Sequence, residues 1–303
     1  MIHTESQSIS GFSDHRVLGE NKTPSDLCDA IADVIKPQSN ELIYDGACGS
    51  LSLLLSAKNY IARNGEFVSK NFFGREINFE TYERAYDVAI TNGLNAEQIK
   101  NENSLLKEGL SKNGFDVVVS APPFGMRCDN DEGELGIKTN DATNKFLQHY
   151  INSLKPNGRA AVIVSQSFFY STNQAWRQLR KHLIENCGVY AVLELPSKTF
   201  GYTSIPASVL FFTKGERTSS IKYYAKQLEE DYDSFINFVN HGSGNDRSFE
   251  YFLKSSLSED YVIPAASEFI IDIEIEEKRG NFKDFKKFKL EDICSEINLT
   301  ERE

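Results

Sequence analysis

The chain has 303 residues, 40% of them hydrophobic, including 21 Phe and 13 Tyr, which suffices for one large packed domain with a smaller appendage and excludes global disorder. Its formal net charge of −11 opposes unaided binding to nucleic acid, where contacts to phosphate dominate affinity, so a partner is expected to supply most such contacts. No apolar run reaches membrane-spanning length, MIHTESQSIS lacks the regions of a signal peptide, and Cys28, Cys48, Cys128, Cys187 and Cys294 are scattered, so a cytoplasmic protein with reduced thiols and no metal is expected.

In chain order, Thr23-Pro24-Ser25-Asp26 opens a helix that runs to about Ile35 and stops at Lys36-Pro37. From about Glu41 to Lys214, short apolar β-rich runs alternate with amphipathic helical stretches. The predicted strands are Glu41–Asp45, Asn71–Glu76, Gln98–Glu102, Phe115–Ser120, Gly158–Ser165, Val189–Leu195 and Ser208–Lys214. Helical patterns cover Asn78–Thr91, Ala142–Leu154 and Gln174–Asn186, the last capped by Ser171-Thr172-Asn173 and ended at Gly188. Such alternation predicts an α/β fold with a mostly parallel sheet covered on both faces. After Gly215 the character changes: Lys222–Asn240 is charged, aromatic and read as helical, His241–Asp246 as a flexible loop, and the chain beyond Ser267 as a polar tail. The expected division is an arm (1–18), a sheet domain (19–215), a helical and loop extension (216–266) and the tail (267–303).

Two places hold the residues for chemistry. The first is Tyr44-Asp45-Gly46-Ala47-Cys48-Gly49-Ser50, where glycines after the first strand allow a tight turn and close approach of a ligand. It is followed by Phe73-Gly74-Arg75-Glu76, an acid at the end of the second strand, where a carboxylate can accept both hydroxyls of a ribose. Together they point to a nucleoside-type ligand, against a purely structural turn. The second is Asp116-Val117-Val118-Val119-Ser120-Ala121-Pro122-Pro123-Phe124-Gly125, a buried strand that must stop at its two prolines and present its carboxyl-end loop. In open parallel sheets ligands bind at that edge.

Asp45-Gly46-Ala47-Cys48-Gly49-Ser50 resembles the Asp-Pro-Ala-Cys-Gly-Ser-Gly cofactor motif of adenine-specific DNA methyltransferases, and Ala121-Pro122-Pro123-Phe124 resembles their Asn/Asp-Pro-Pro-Tyr/Phe catalytic motif. The modification subunits of type I restriction-modification systems are the most similar group. Further correspondences lie at Thr23-Pro24, Gly74–Asn78, Glu80-Thr81-Tyr82, Leu154–Ala161, Leu195–Phe200 and Ser204–Ser208, so the resemblance covers about Gly19 to Tyr232. It implies a doubly wound, seven-stranded class I methyltransferase sheet with a small C-terminal extension, and S-adenosylmethionine as cofactor. Thr23, Asp45, Gly46, Ala47, Cys48, Gly49, Glu76 and Asn103 are the implied cofactor residues. Phe124 would stack on an adenine flipped out of double-stranded DNA, and the Pro122 carbonyl would accept from its amino group beside Pro123. The implied partners are a specificity subunit or other defence components.

The chain departs from that pattern at several positions. Ala121 replaces the polar residue and has no acceptor, Leu51 replaces the second motif glycine and is expected to crowd the cofactor loop, Asn103 replaces an acid, and Asn21 and Lys22 replace aromatics. Three readings stand: an adenine methyltransferase subunit impaired at Ala121, a catalytically silent scaffold of the same fold, and a methyltransferase with a non-DNA substrate. Met126–Asp141, rich in acids, is read as a solvated mobile loop. Trp176, with Leu179 and Leu183, is read as core, and His149 and His182 as lacking ligand-type neighbours. The basic cluster Lys283, Lys286, Lys287, Lys289 is read as a solvated face, and Phe288–Cys294 resembles the entry to a recognition domain.

Overall fold

The computed structural model describes residues 22–106, 114–201, 203–228, 230–245 and 248–252; the expectations for residues 1–18, for Asn21, and for the tail with its lysine cluster and Phe288–Cys294 lie outside them. Helix α1 (Ser25–Ile35) buries Leu27, Ile31, Val34 and Ile35 and ends at Lys36, whose φ of 51° is left-handed. The Arg159 guanidinium caps that end, donating to the Ile35 and Lys36 carbonyls and to both oxygens of Glu41, so the carbonyls orphaned at the helix terminus are satisfied.

The sheet then forms from β1 (Ile43–Asp45), β2 (Phe72–Arg75), β3 (Ile99–Lys100), β4 (Phe115–Ser120), β7 (Leu154–Ser165), β8 (Cys187–Glu194) and β9 (Ala207–Lys214). A separate hairpin, β5 (Arg127–Glu132) and β6 (Lys138–Asp141), precedes the last three. Helices α2 (Ser52–Asn64), α3 (Phe79–Thr91), α4 (Ala142–Ser153), α5 (Ser167–Tyr170) and α6 (Gln174–Asn186) make the connections. Strands β10 (Ser220–Ala225) and β11 (Ser248–Phe252), with α7 (Asp233–His241) between them, complete a nine-stranded order β11-β10-β8-β9-β7-β4-β1-β2-β3. Strand β9 runs antiparallel to both neighbours, whereas β1, β2, β3, β4 and β7 are parallel. The strand order reverses between β1 and β4, which places a crevice at their carboxyl ends.

Alternation along β4 feeds two cores. Val117 and Val119 join α1, α2, α3 and α7 on one face, while Val118 joins α4 and α6 on the other. Trp176 packs edge-on against Phe168 in that second core and is 5% exposed. Among the described residues no helix is long and apolar enough to cross a membrane.

The expected seven strands are present, and the sheet continues by two more. Lys222–Asn240, read as helical, divides instead: Ser220–Ala225 is a strand pairing parallel with β8, and helix begins only at Asp233. Ile221, Tyr223 and Tyr224 are buried, and aromatic and β-branched residues suit a pleated surface. Lys222 masked that pattern; its ammonium turns back to the Phe238 and Val239 carbonyls near the end of α7, where the helix dipole favours a cation.

Candidate active site

The turn after β1 is built around Asp45. Its Oδ1 accepts from the Ala47 amide at 3.0 Å and from Ser120 Oγ at 2.6 Å. The carboxyl is 2% exposed, and burial pushes its pKa up to about 7 against those two hydrogen bonds, with Glu76 adding to the rise. Gly46 is required by packing and does not face the cleft: a Cβ there would lie 2.8 Å from both the Tyr150 ring and the Tyr44 hydroxyl. Its carbonyl accepts from Ser104 Oγ at 2.6 Å. Gly49 has a φ of +48° and open space where a Cβ would be, so the backbone is bare on the ligand side. Cys48 is buried, and desolvation raises its thiol pKa well above the ordinary value, so it is an inert wall residue.

Leu51 does not crowd this loop. It adopts a left-handed conformation of the kind that favours glycine, with φ 66° and ψ 13°, and donates its amide to the Cys48 carbonyl at 2.8 Å. Its side chain is fully buried in the core shared with α1 and α2. Burial of a leucine outweighs the roughly 1–2 kcal/mol that an L-residue loses in this conformation.

Glu76 follows β2. Its Oε2 accepts from the Gly49 amide at 3.1 Å and its Oε1 from the Asn78 amide at 2.8 Å; burial raises its pKa, the backbone amides opposing. Each oxygen retains a second acceptor site. Asn103 is less engaged with the cleft: its Oδ1 accepts from the Leu105 amide in a local turn, and the acid before it, Glu102, pairs with Arg75 at 2.8 Å.

Ala121 follows β4 and lines the same cleft as Asp45, and its methyl offers no acceptor. Pro122 is buried, the Pro123 carbonyl accepts from Thr143 Oγ1 at 3.0 Å, and Phe124 meets Phe200 edge-on at 5.9 Å. The segment after this loop is not a mobile acidic loop. Strands β5 and β6 pair, and α4 clamps them. Gln148 accepts from the Leu135 and Ile137 amides and donates to the Ile137 carbonyl, while Lys145 bonds Asp131 and the Asp129 carbonyl. His149, 1% exposed, has a ligand-type neighbour after all: its Nδ1 lies 2.5 Å from Glu134 Oε1 and its Nε2 3.0 Å from the Tyr44 hydroxyl. Asp131, Glu134 and Asp141 thus bond α4, while β5 itself stays largely exposed, as a solvated segment would be.

Thr23, Asp45, Ala47, Cys48, Gly49 and Ala121 converge on one cleft, completed by Ser50, Ser52 and Leu53. The cleft offers a cavity volume of only about 30 Å³, too small to enclose a nucleoside. The donor set suits the cofactor implied by the resemblance: a bare glycine backbone, a carboxylate with acceptor sites for ribose hydroxyls, and a buried acid. Among the described residues no group of three or more His, Cys, Asp or Glu could hold a metal ion. Sequence reasoning missed Ser120, Tyr150 and Ser104; the lone polar Ser120 closing an apolar strand was the available signal.

Known proteins resemble this chain in sequence and fold. The N-6 DNA Methylase family model matches residues 11–246. The StySPI type I restriction enzyme methylase subunit of Salmonella potsdam is 27% identical over 215 residues, covering 65% of this chain and 40% of the relative. The EcoKI methylase subunit of Escherichia coli is 26% identical over 215 residues, with the same coverage, 65% and 40%. The chain thus spans about two-fifths of the length of these relatives. The crystal structure of the EcoKI M protein superposes with a TM-score of 0.66 at 18% identity, covering 94% of this chain and 77% of that one. A modification subunit of a putative type I restriction enzyme from Vibrio vulnificus gives 0.64 at 23% identity, covering 80% and 58%.

Proposed function

The chain belongs to the N-6 DNA methylase family, and from that premise we propose that it is the adenine-directed methyltransferase part of a type I modification subunit, slowed at the transfer step by Ala121. The observation that carries this reading is the convergence of Thr23, Asp45, Gly49 and Ala121 on one cleft at the carboxyl ends of β1 and β4. S-adenosylmethionine would be held by the Asp45–Gly49 turn and by Glu76, and when bound it supplies the methyl group.

The chain's own residues then account for the rest. Phe124, edge-on to Phe200, would stack on a flipped adenine. The backbone carbonyl of Pro122 is the remaining acceptor for the amino group. Absence of a side-chain acceptor at Ala121 removes one preorganised partner of the charge that develops on nitrogen, which costs roughly a hundred- to a thousandfold in rate. With a net charge of −11, the chain would rely on a specificity partner for double-stranded DNA.

Ala121 also favours a second reading, a silent scaffold that assembles with a methyltransferase or specificity partner. Calorimetric titration with S-adenosylmethionine, followed by methyl transfer to duplex DNA by the chain and by Ala121→Asn, separates the two. Binding with a rise of about a hundredfold in Ala121→Asn is the expected result. Binding without any rise favours the scaffold, and no binding at millimolar cofactor overturns the cofactor site.

A further inference from the structure

Ser120 is the last residue of β4, next to Ala121, and is fully buried. Its Oγ lies 2.6 Å from Asp45 Oδ1 and 2.7 Å from the Tyr150 hydroxyl on α4, itself fully buried. An ionised carboxylate only accepts, and a serine has one proton. Ser120 therefore donates to Asp45, and Tyr150 donates to Ser120. With Asp45 ionised, the order of donation is Tyr150 to Ser120 to Asp45.

Both this bond and that from the Ala47 amide fall on Oδ1, so among the described residues Oδ2 is the oxygen with no hydrogen bond, on a side chain that lines the cleft. No cation of the described residues pairs with it. The titratable groups that interact with Asp45 are Glu76 beyond β2, Cys28 on α1, Tyr44 on β1, Cys48 in the turn and Tyr150 on α4, none of them positive. Arg75, the nearest arginine on β2, is directed to Glu102. A buried carboxylate without a counter-charge, held by one oxygen, is built to receive a cation from the ligand.

We propose that Ser120 and Tyr150 are positioning residues that turn the Asp45 carboxylate toward an ammonium group bound in the cleft, and that ligand binding there is coupled to release of the Asp45 proton. The ammonium class rests on the cofactor reading above; the hydrogen-bonded chain does not. An ammonium favours the ionised acid, so binding near or below neutral pH expels a proton and weakens as the pH falls. Loss of the Ser120 hydroxyl removes the stronger of the two side-chain links, and loss of the Tyr150 hydroxyl weakens it at one remove.

Two measurements on the full chain test this. The first follows the Asp45 carboxyl carbon by NMR without ligand, in the native chain, Ser120→Ala and Tyr150→Phe, after amide spectra show each variant folded. The titration midpoint is expected to rise by about one pH unit in Ser120→Ala and by less in Tyr150→Phe. An unchanged midpoint in Ser120→Ala overturns the chain of contacts.

The second compares S-adenosylmethionine with methylthioadenosine, which lacks the amino-acid ammonium, by calorimetry in buffers of different ionisation enthalpy. Proton release with the first ligand alone is expected, and an affinity loss of about tenfold in Ser120→Ala for the first ligand alone. Equal losses for both ligands, or no proton release, overturn the positioning role. If the native chain binds neither ligand, the cofactor reading and the ammonium assignment fail together, and the carboxyl titration decides the hydrogen-bonded chain by itself.

Discussion

The Gly49 amide donates to Glu76 Oε2 at 3.1 Å, tying the turn after β1 to the tip of β2. One carboxylate thus fixes the shape of the glycine turn while each of its oxygens keeps a second acceptor site. The same side chain also accepts from the Asn78 amide, which leads directly into α3, so turn, strand end and helix start share one anion.

Glu76→Ala is therefore expected to affect shape and ligand together. Hydrogen bonds to a charged group contribute about 1.5–3 kcal/mol each. Calorimetry should show affinity for S-adenosylmethionine reduced by at least about tenfold, with thermal stability lowered as well. Glu76→Gln keeps one acceptor and should fall between. Unchanged affinity in Glu76→Ala would remove this residue from the cofactor site.

Leu51→Gly restores the residue type found in the resembling motif, yet it is expected to destabilise the chain. Relief of the left-handed conformation returns about 1–2 kcal/mol. Loss of a leucine fully buried in the core costs about 2–5 kcal/mol, and added freedom in the unfolded chain works in the same direction. Denaturant unfolding should therefore show a net loss of about 2–4 kcal/mol. A stabilised Leu51→Gly variant would mean that strain outweighs packing at this turn.

Glu134→Ala tests the clamp on the hairpin. Glu134 meets both His149 and Asn152 on α4, and its removal leaves the buried imidazole nitrogen without a partner. Such a loss costs about 1–3 kcal/mol. Limited proteolysis should cut between residues 126 and 141 in this variant faster than in the native chain. Equal resistance would show that Gln148 and Lys145 hold the hairpin alone.

The sheet was legible because its strands are short apolar runs separated by helix punctuation, and β4 could be read to its last residue from Phe115 to the two prolines. The hairpin was not legible. Its acids, Asp131 and Glu134, look solvated in a sequence because their partners, Lys145 and His149, sit 14 and 15 residues later on a helix. Strand β10 was hidden by Lys222 and Lys226, whose stems lie along apolar surface while their ammonium groups reach carbonyls. At the site, the motif residues were legible, but which way they face was not. Leu51 turns to the core and Gly46 lies beneath two tyrosines, and neither direction is encoded in spacing.

Asp45 gives the chain a pH dependence opposite to that of a salt-bridged acid. Burial raises its pKa from 3.8 to about 7 in the folded chain, whereas the unfolded chain releases the proton near 3.8. Between those values the folded state binds more protons than the unfolded state, so this group lowers stability as pH rises through that window, and its contribution is constant above about 7. The full effect is at most about 4 kcal/mol. Asp45→Asn retains an acceptor for Ser120 but carries no charge. Its unfolding free energy relative to the native chain should rise from pH 4 to pH 7 and level off beyond. A difference between the two proteins that stays flat across this range would place the folded Asp45 carboxyl back at its ordinary value and remove the buried charge from the site.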